Sequence, residues 1–267
     1  MPMITLYDSA FSPFARKVRL TLELKQLEYQ VIDGLALANR PALTAVNPRA
    51  EVPAIDHDGM FVANSADIVA YLERRWPMRP LYPDPNAAWV HARAWERCAD
   101  TLIDAILTNV SYWVWAKRED KMPEGLLEAA RRDLELVYAA LERDLAGRDF
   151  VSYGALSIAD VALFPHLATT RAFGLGYDAE KHPRVHAWMK RLRAMEVFAA
   201  DLTRLKDFMG QVAQSSEHER TKIFWRGDRI EWMLARGFHG WFGNEIKAQR
   251  VLWPGPNVPG VRYEPMG

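Results

Sequence analysis

Apolar positions in the first quarter of the chain recur at two different periods. Met3 to Tyr7 and Tyr29 to Ile32 are short runs of strand character. Between them Phe14, Val18 and Leu22 fall four apart, which predicts a helix over Pro13 to Lys25 with those three on one face. Ala36 to Ala45 reads as a weak helix. Val52 to Ile55 and Met60 to Val62 flank Asp58-Gly59, a tight-turn pair that predicts a hairpin. Ser65 to Trp76 returns to helical spacing, with Ile68, Leu72 and Trp76 facing the core. The order β-α-β-α-β-β-α implies a mixed sheet with one right-handed crossover. From Asn86 onward the pattern is helical, over about 87–117, 123–146, 157–173, 182–195 and 195–209.

Two breaks divide this pattern. Pro77, Pro80, Pro83 and Pro85 cannot continue a helix or a central strand and mark a linker. A second break falls at Gln214-Ser215-Ser216. The expected units are therefore 1–78, 86–214 and an extension over 215–267. That extension carries one amphipathic helix, then a tail rich in proline and glycine (Pro254, Gly255, Pro256, Pro259, Gly260).

Composition narrows the function. Lys+Arg and Asp+Glu both number 34 in 267 residues, and this balance argues against a dedicated nucleic-acid binder. The single cysteine, Cys98, excludes a disulfide framework or a C-x-x-C pair within the chain. No apolar run reaches the ~18 residues of a membrane helix. The first basic residue is Arg16, so no signal peptide is expected, and the reading is a cytoplasmic globular protein without a membrane partner.

Six pieces then stand in a recognisable order: Ser12-Pro13-Phe14-Ala15-Arg16-Lys17-Val18-Arg19, Asn47-Pro48, Val52-Pro53-Ala54-Ile55, Asn64-Ser65, Ser157-Ile158-Ala159-Asp160, and Pro183 with Trp188. Over residues 3–210 the chain resembles a glutathione S-transferase. The resemblance implies an α/β thioredoxin-like N-terminal domain followed by an all-α C-terminal domain. It also implies glutathione as co-substrate, an apolar electrophile as acceptor, no metal, and a homodimer.

Each candidate residue has a bland reading beside the chemical one. Ser at the N-cap with Pro at N1 is a favoured start for any helix. At the end of a first strand, however, a helix N-terminus offers N–H groups and partial positive charge to a cleft. A hydroxyl there can donate to a bound thiolate, and the resemblance implies that Ser12 contacts glutathione sulfur, as in serine-type classes such as tau. Ser9 and Tyr7 compete for that role, although Tyr7 is expected to pack at the strand end. Val52-Pro53 is ordinary edge chemistry or, by the resemblance, a cis peptide whose preceding backbone pairs with the cysteinyl backbone of glutathione. Ser65 is read as an N-cap that also helps hold the γ-glutamyl carboxylate.

Two positions depart from the family. Ala50-Glu51 stands where Gly-Lys is frequent, which puts Glu51 near the glycine carboxylate of glutathione. Asn64 stands where Glu or Gln is frequent. Arg40, Arg49, Asp67 or an acid of a partner subunit (Asp100 or Asp104) are the candidate compensators. Phe11, Tyr112, Trp113 and Trp115 are expected to line an apolar acceptor pocket beside Ser12.

Other signals read as structural. Ser157 and Asp160 form a capping box, Cys98 fills core, and His182 with His186 lack a carboxylate partner for a metal. In the extension, Ile230, Met233 and Leu234 follow helical spacing with Arg226, Asp228, Arg229 and Arg236 interspersed, and a break is expected near Gly237 or Gly240. Its tryptophans call for burial, either over the Ser12 cleft as a lid or along the helical domain as a brace, the brace being favoured. The leading function is a glutathione-dependent transferase. The alternative is a non-catalytic ligand- or partner-binding protein with a degraded thiol site, while thiol–disulfide exchange is disfavoured because Ser12 cannot form a mixed disulfide.

Overall fold

The computed structural model describes residues 3–115, 119–214, 223–224 and 226–252. Strand β1 (Ile4–Asp8) runs parallel to β2 (Tyr29–Asp33) and antiparallel to β3 (Ala54–His57), and β4 (Met60–Ala63) pairs with β3 at the edge. The order β2-β1-β3-β4 follows. Asp58 and Gly59 both take positive φ, 52° and 82°, as a two-residue hairpin turn requires. Strand β3 begins two residues later than expected. Proline has no N–H for the ladder, so pairing starts after Pro53, at Tyr7–Ala54.

Alternation along β1 sorts the layers. Ile4 and Leu6 pack with Val18 and Leu22 of α1 (Pro13–Leu24) and with Ile68 and Leu72 of α3 (Ser65–Arg75). Tyr7 points to the other face, against Leu43 and Val46 of α2 (Arg40–Val46). The stripe expected on α1 holds for Val18 and Leu22 but not for Phe14, which turns to His166 with ring centroids 5.7 Å apart.

Helix α1 is buried on both sides, because the helical domain covers the face turned from the sheet. Its basic residues are buried with it and paired, Arg16 and Lys17 across the domains. Arg16 makes a forked contact to Asp201, at 3.0 Å from Nε and 2.6 Å from Nη2, and donates to the Pro165 carbonyl at 2.8 Å. Lys17 reaches Glu96 and Asp100, and Arg19 pairs with Asp8. Burial raises the Asp8 carboxyl above the usual carboxylate range, and Arg19 draws it back down. Asp100 and Asp104 thus have partners within this chain, Lys17 for the first and Arg229 for the second. The proline-dense linker is tied down as well: Lys25 pairs with Glu73 and donates to the Trp76 carbonyl, while Glu73 accepts from Leu81 N–H.

The helical domain comprises α4 (Asn86–Cys98), a π-helical stretch (Ala99–Ile103), α5 (Asp104–Trp115), α6 (Leu126–Asp144), α7 (Ile158–Leu167), α8 (Pro183–Ala194) and α9 (Glu196–Gln214). The expected capping box is present. Asp160 accepts from Ser157 N–H and from Val151 N–H, and Trp188 Nε1 donates to it at 2.8 Å. One carboxylate therefore joins two of the sequence signatures, at a fully buried position.

Cys98 is partly buried against this core, and burial pushes its thiol up to about 11. At pH 8 only about one thiol in a thousand is ionised. A thiol-alkylating reagent should therefore spare the native protein at pH 8 while modifying the denatured chain. Equal rates would contradict this environment.

The extension forms two helices rather than one, α10 (Gly227–Ala235) and α11 (His239–Lys247). Gly237 at φ 87° ends the first. Its N–H bonds Leu234 O and the Phe238 N–H bonds Met233 O, a Schellman closure. Strands β5 (Ile223–Phe224) and β6 (Val251–Leu252) pair in parallel around them. Helix α10 lies along α5 as a brace: Trp232 Nε1 donates to Asp133 at 2.8 Å, Arg229 pairs with Asp104, and Asn109 bonds the Arg229 carbonyl. Trp225 and the tail from Pro254 to Gly260 lie outside the described residues.

Candidate functional site

The loop after β1 shapes the start of α1. Ser9 is buried, its Oγ accepts from Phe11 N–H at 3.4 Å, and its carbonyl accepts from Ser12 N–H at 3.1 Å. Ser12 is the N-cap, half-buried, with Oγ accepting from Ala15 N–H at 3.4 Å. Because that bond uses a lone pair, the O–H remains a donor. Ser9 is buried beneath the loop, whereas Ser12 is only half-buried, and Tyr7 faces α2. Of these three hydroxyls, Ser12 is the one at the helix N-terminus, between Phe11 and Pro13 of the cavity wall.

The segment before β3 forms the second lip. Asn47 is buried and holds it, donating from Nδ2 to Glu51 O at 2.8 Å and accepting from Arg49 N–H at 3.2 Å. The Val52–Pro53 peptide is cis. Val52 stands outside the ladder, and its side chain lies against Gly34, where a Cβ would come within 2.5 Å of Val52 Cγ1. Glu51 is not a bare anion. Arg49 grips it with Nε at 3.0 Å and Nη2 at 3.2 Å, and Arg226 from the extension comes within 4.0 Å. Ala50 has φ 53°, a left-handed value that costs a Cβ-bearing residue roughly 1–2 kcal/mol and glycine none. Ala50→Gly should stabilise the protein by about 0.5–1 kcal/mol after the greater freedom of glycine in the unfolded chain is subtracted. Denaturant unfolding checks this, and a loss of stability would contradict it.

The third element is the start of α3. Asn64, not Ser65, is the N-cap, at φ 68° and ψ 127°, and its side chain makes no capping bond. It reaches Asp67 instead, Nδ2 to Oδ2 at 3.1 Å. Ser65 is the first helical residue and is buried. A helix start not filled by its own cap is a ready site for a carboxylate. Arg40 is exposed at the first turn of α2.

Beside Ser12 opens a largely apolar cavity of about 310 Å³. Phe11 and Pro13 form its near wall, Leu107, Thr108 and Ser111 of α5 one side, and Leu202, Leu205 and Met209 of α9 the other. Phe11 stacks on Phe208 with centroids 6.5 Å apart. Tyr112 and Trp113 are not here. They line a second cavity of about 280 Å³ with Trp241, Glu245 and Arg250, and Trp113 packs edge-on to Trp241 at 5.8 Å. The reason is helical phase: Leu107, Thr108 and Ser111 share one face of α5, and the next two residues turn away from it. The Trp115 side chain lies outside the described residues. His166 on α7 also lines the first cavity. Burial depresses its pKa, Asp104 and Asp100 oppose this, and its Nδ1 lies 3.0 Å from Ala162 O.

Sequence reasoning missed Arg226 and His166 as neighbours of the site. Arg226 was one of several charges on an amphipathic helix, and no local pattern links it to Glu51. Contrary to the sequence expectation, His182 has a carboxylate partner, Glu135 at 3.0 Å from its Nε2, while His186 lies against the Tyr177 hydroxyl. Among the described residues no group of three or more potential ligands is placed to hold a metal ion, and no helix is long and apolar enough to cross a membrane.

Comparison with known proteins agrees with this architecture. The family model described as "Glutathione S-transferase, N-terminal domain" matches residues 6–80, and that of the C-terminal domain matches 124–191. Glutathione S-transferase U6 of Arabidopsis thaliana is 28% identical over 70% of this chain and 82% of its own length. Among solved structures, an epsilon-class glutathione S-transferase from the housefly, Musca domestica, superposes with a TM-score of 0.67 at 23% identity, covering 79% of this chain and 97% of that one. A glutathione transferase homologue from Drosophila mojavensis, solved with bound glutathione, gives 0.65 at 24% identity over 80% and 97%. The two structures speak for the fold. The α10–α11 extension falls outside both family models. With both domain models matched in sequence order, and a curated relative aligned along four-fifths of its own length, the chain belongs to the glutathione S-transferase family of enzymes.

Proposed function

We propose that the enzyme binds glutathione along the three lips, activates its thiol with Ser12 and directs the thiolate at an apolar electrophile in the cavity beside Phe11. The observation that carries this reading is the Ser12 hydroxyl at the N-terminus of α1, its lone pair engaged by Ala15 N–H and its proton left to donate. Free thiols titrate near 8.5, so few are nucleophilic at neutral pH. Lowering that value by two units takes about 2.7 kcal/mol, within the reach of one charge-assisted hydrogen bond and a helix dipole together.

The tripeptide has two carboxylates and an extended backbone between them. The uncapped start of α3 at Ser65, with Asn64 beside it, suits the γ-glutamyl carboxylate. The Val52 backbone, outside the ladder next to cis-Pro53, suits the cysteinyl amide. The glycine end then falls at the Glu51 lip. Arg40 is exposed and has no assigned part in this pose, and Tyr112 and Trp113 belong to another cavity. The thiolate attacks the electrophilic carbon; its electron pair forms the S–C bond and the leaving group or added double bond takes the displaced pair. Half-exposed Met60 and Phe61 on edge strand β4, with Trp89 and Val90 on α4, support a homodimer.

The non-catalytic alternative drew its support from Glu51, as an anion in the site, and from Asn64. The grip of Arg49 on Glu51 weakens the first of these supports, and Asn64 is bonded to Asp67. The test is a calorimetric titration with glutathione, followed by an assay with an activated aryl halide. Saturable binding and conjugation are expected. Binding without turnover toward any such acceptor would favour the alternative, and no binding would defeat the thiol assignment itself.

A further inference from the structure

The extension braces the helical domain, yet its first described helix begins at the thiol site. Arg226 is the residue before α10, and its guanidinium lies 5.3 Å over the ring of Phe14, two residues past Ser12. On its other side Nη2 is 4.0 Å from Glu51 Oε2. That separation exceeds the ~2.7–2.9 Å of a charge-assisted hydrogen bond. Both Glu51 oxygens are already held by Arg49. Two guanidinium groups therefore face the Glu51 carboxylate, and that of Arg226, about a third exposed to solvent, is close to it without a hydrogen bond. The arm is not loose, because Arg229–Asp104 and Trp232–Asp133 fix α10 within two turns of it.

We propose that Arg226 is a binding residue of the thiol site, supplied by the C-terminal extension, and that it engages the glycine carboxylate of glutathione at the Glu51 lip. This rests on the binding pose proposed above. The cation that Glu51 fails to provide from the N-terminal domain is then delivered from the far end of the same chain. The extension thereby acquires a role beyond bracing: with α10 docked the glutathione site is complete, and without it the lip loses the Arg226 guanidinium.

Calorimetric titrations of the full chain test this with glutathione and with its glycine monoethyl ester. Arg226→Ala should raise the Kd for glutathione about tenfold, and Arg226→Lys should recover part of it. The wild-type protein should bind the ester more weakly than glutathione, and Arg226→Ala should bind the ester as the wild type does. Melting temperatures of the variants should match the wild type, since the brace contacts are untouched. Tight glutathione binding by the wild type with an unchanged Kd in Arg226→Ala overturns this proposal and leaves the function standing. Equal loss of both ligands in Arg226→Ala also overturns it, because the effect would not run through the glycine carboxylate. No glutathione binding by the wild type overturns it together with the function on which it rests.

Discussion

Ser12→Ala should lower kcat/KM toward a glutathione acceptor by tenfold or more, about 1.4 kcal/mol of transition-state stabilisation. The fold should survive. The variant loses one N-terminal capping bond on α1, at a cost of ~1 kcal/mol, while the helix is buried on both sides and held by the ion pairs of Arg16, Lys17 and Arg19. The loss should fall on kcat more than on glutathione affinity, because in the proposed pose the hydroxyl meets the sulfur and not the carboxylates. Tyr7→Phe is the control. Its ring packs against Leu43 and Val46 on the opposite face of the sheet, so activity should be nearly unchanged. Full activity in Ser12→Ala with loss in Tyr7→Phe would mean that the wrong hydroxyl carries the reaction.

Asp201→Ala should be among the most destabilising single changes in the chain. It removes the partner of Arg16 and leaves that guanidinium, 1% exposed, with only the Pro165 carbonyl. Removing one member of a buried pair costs about 3–5 kcal/mol, which for a chain of this size lowers Tm by about ten degrees. Arg19 is affected too, since its Nη1 lies 3.7 Å from Asp201. The effect should reach the chemistry. Arg16 fixes the first turn of α1 against α7 and α9, and Ser12 sits one turn away. A displacement of 1 Å at a reacting group costs on the order of a hundredfold in rate, so residual folded protein should be impaired in kcat. The double variant Asp201→Leu with Arg16→Met leaves no buried charge and should recover much of the stability. Failure of the double variant to exceed Asp201→Ala would contradict the account of this pair.

What was legible in the sequence was local. Asp58-Gly59 announces its own turn, Ser12-Pro13 its own helix start, and Ser157 with Asp160 its own cap, because each acts over four residues or fewer. What escaped was set by distance or by phase. The burial of Arg16 and Lys17 had no local signal, since the acids that pair with them, Asp201 and Glu96, lie 185 and 79 residues away. The two-helix form of the extension turned on the positive φ of Gly237, and Gly240 was an equal candidate by composition. Tyr112 and Trp113 were assigned to the Ser12 cavity on chemistry alone. Only the rotation of α5 against α1 decides which of its faces looks there. At α3 the N-cap moved by one residue, from Ser65 to Asn64, because the strained backbone of Asn64 begins the turn early.

The central claim is that this protein holds glutathione as a thiolate at Ser12. A pH titration of the ultraviolet thiolate absorbance of the glutathione complex measures it directly. The account predicts a midpoint at least one unit below the ~8.5 of a free thiol in the wild type, returning toward that value in Ser12→Ala. A wild-type midpoint equal to that of free glutathione, or a lowered midpoint that Ser12→Ala leaves in place, would contradict it.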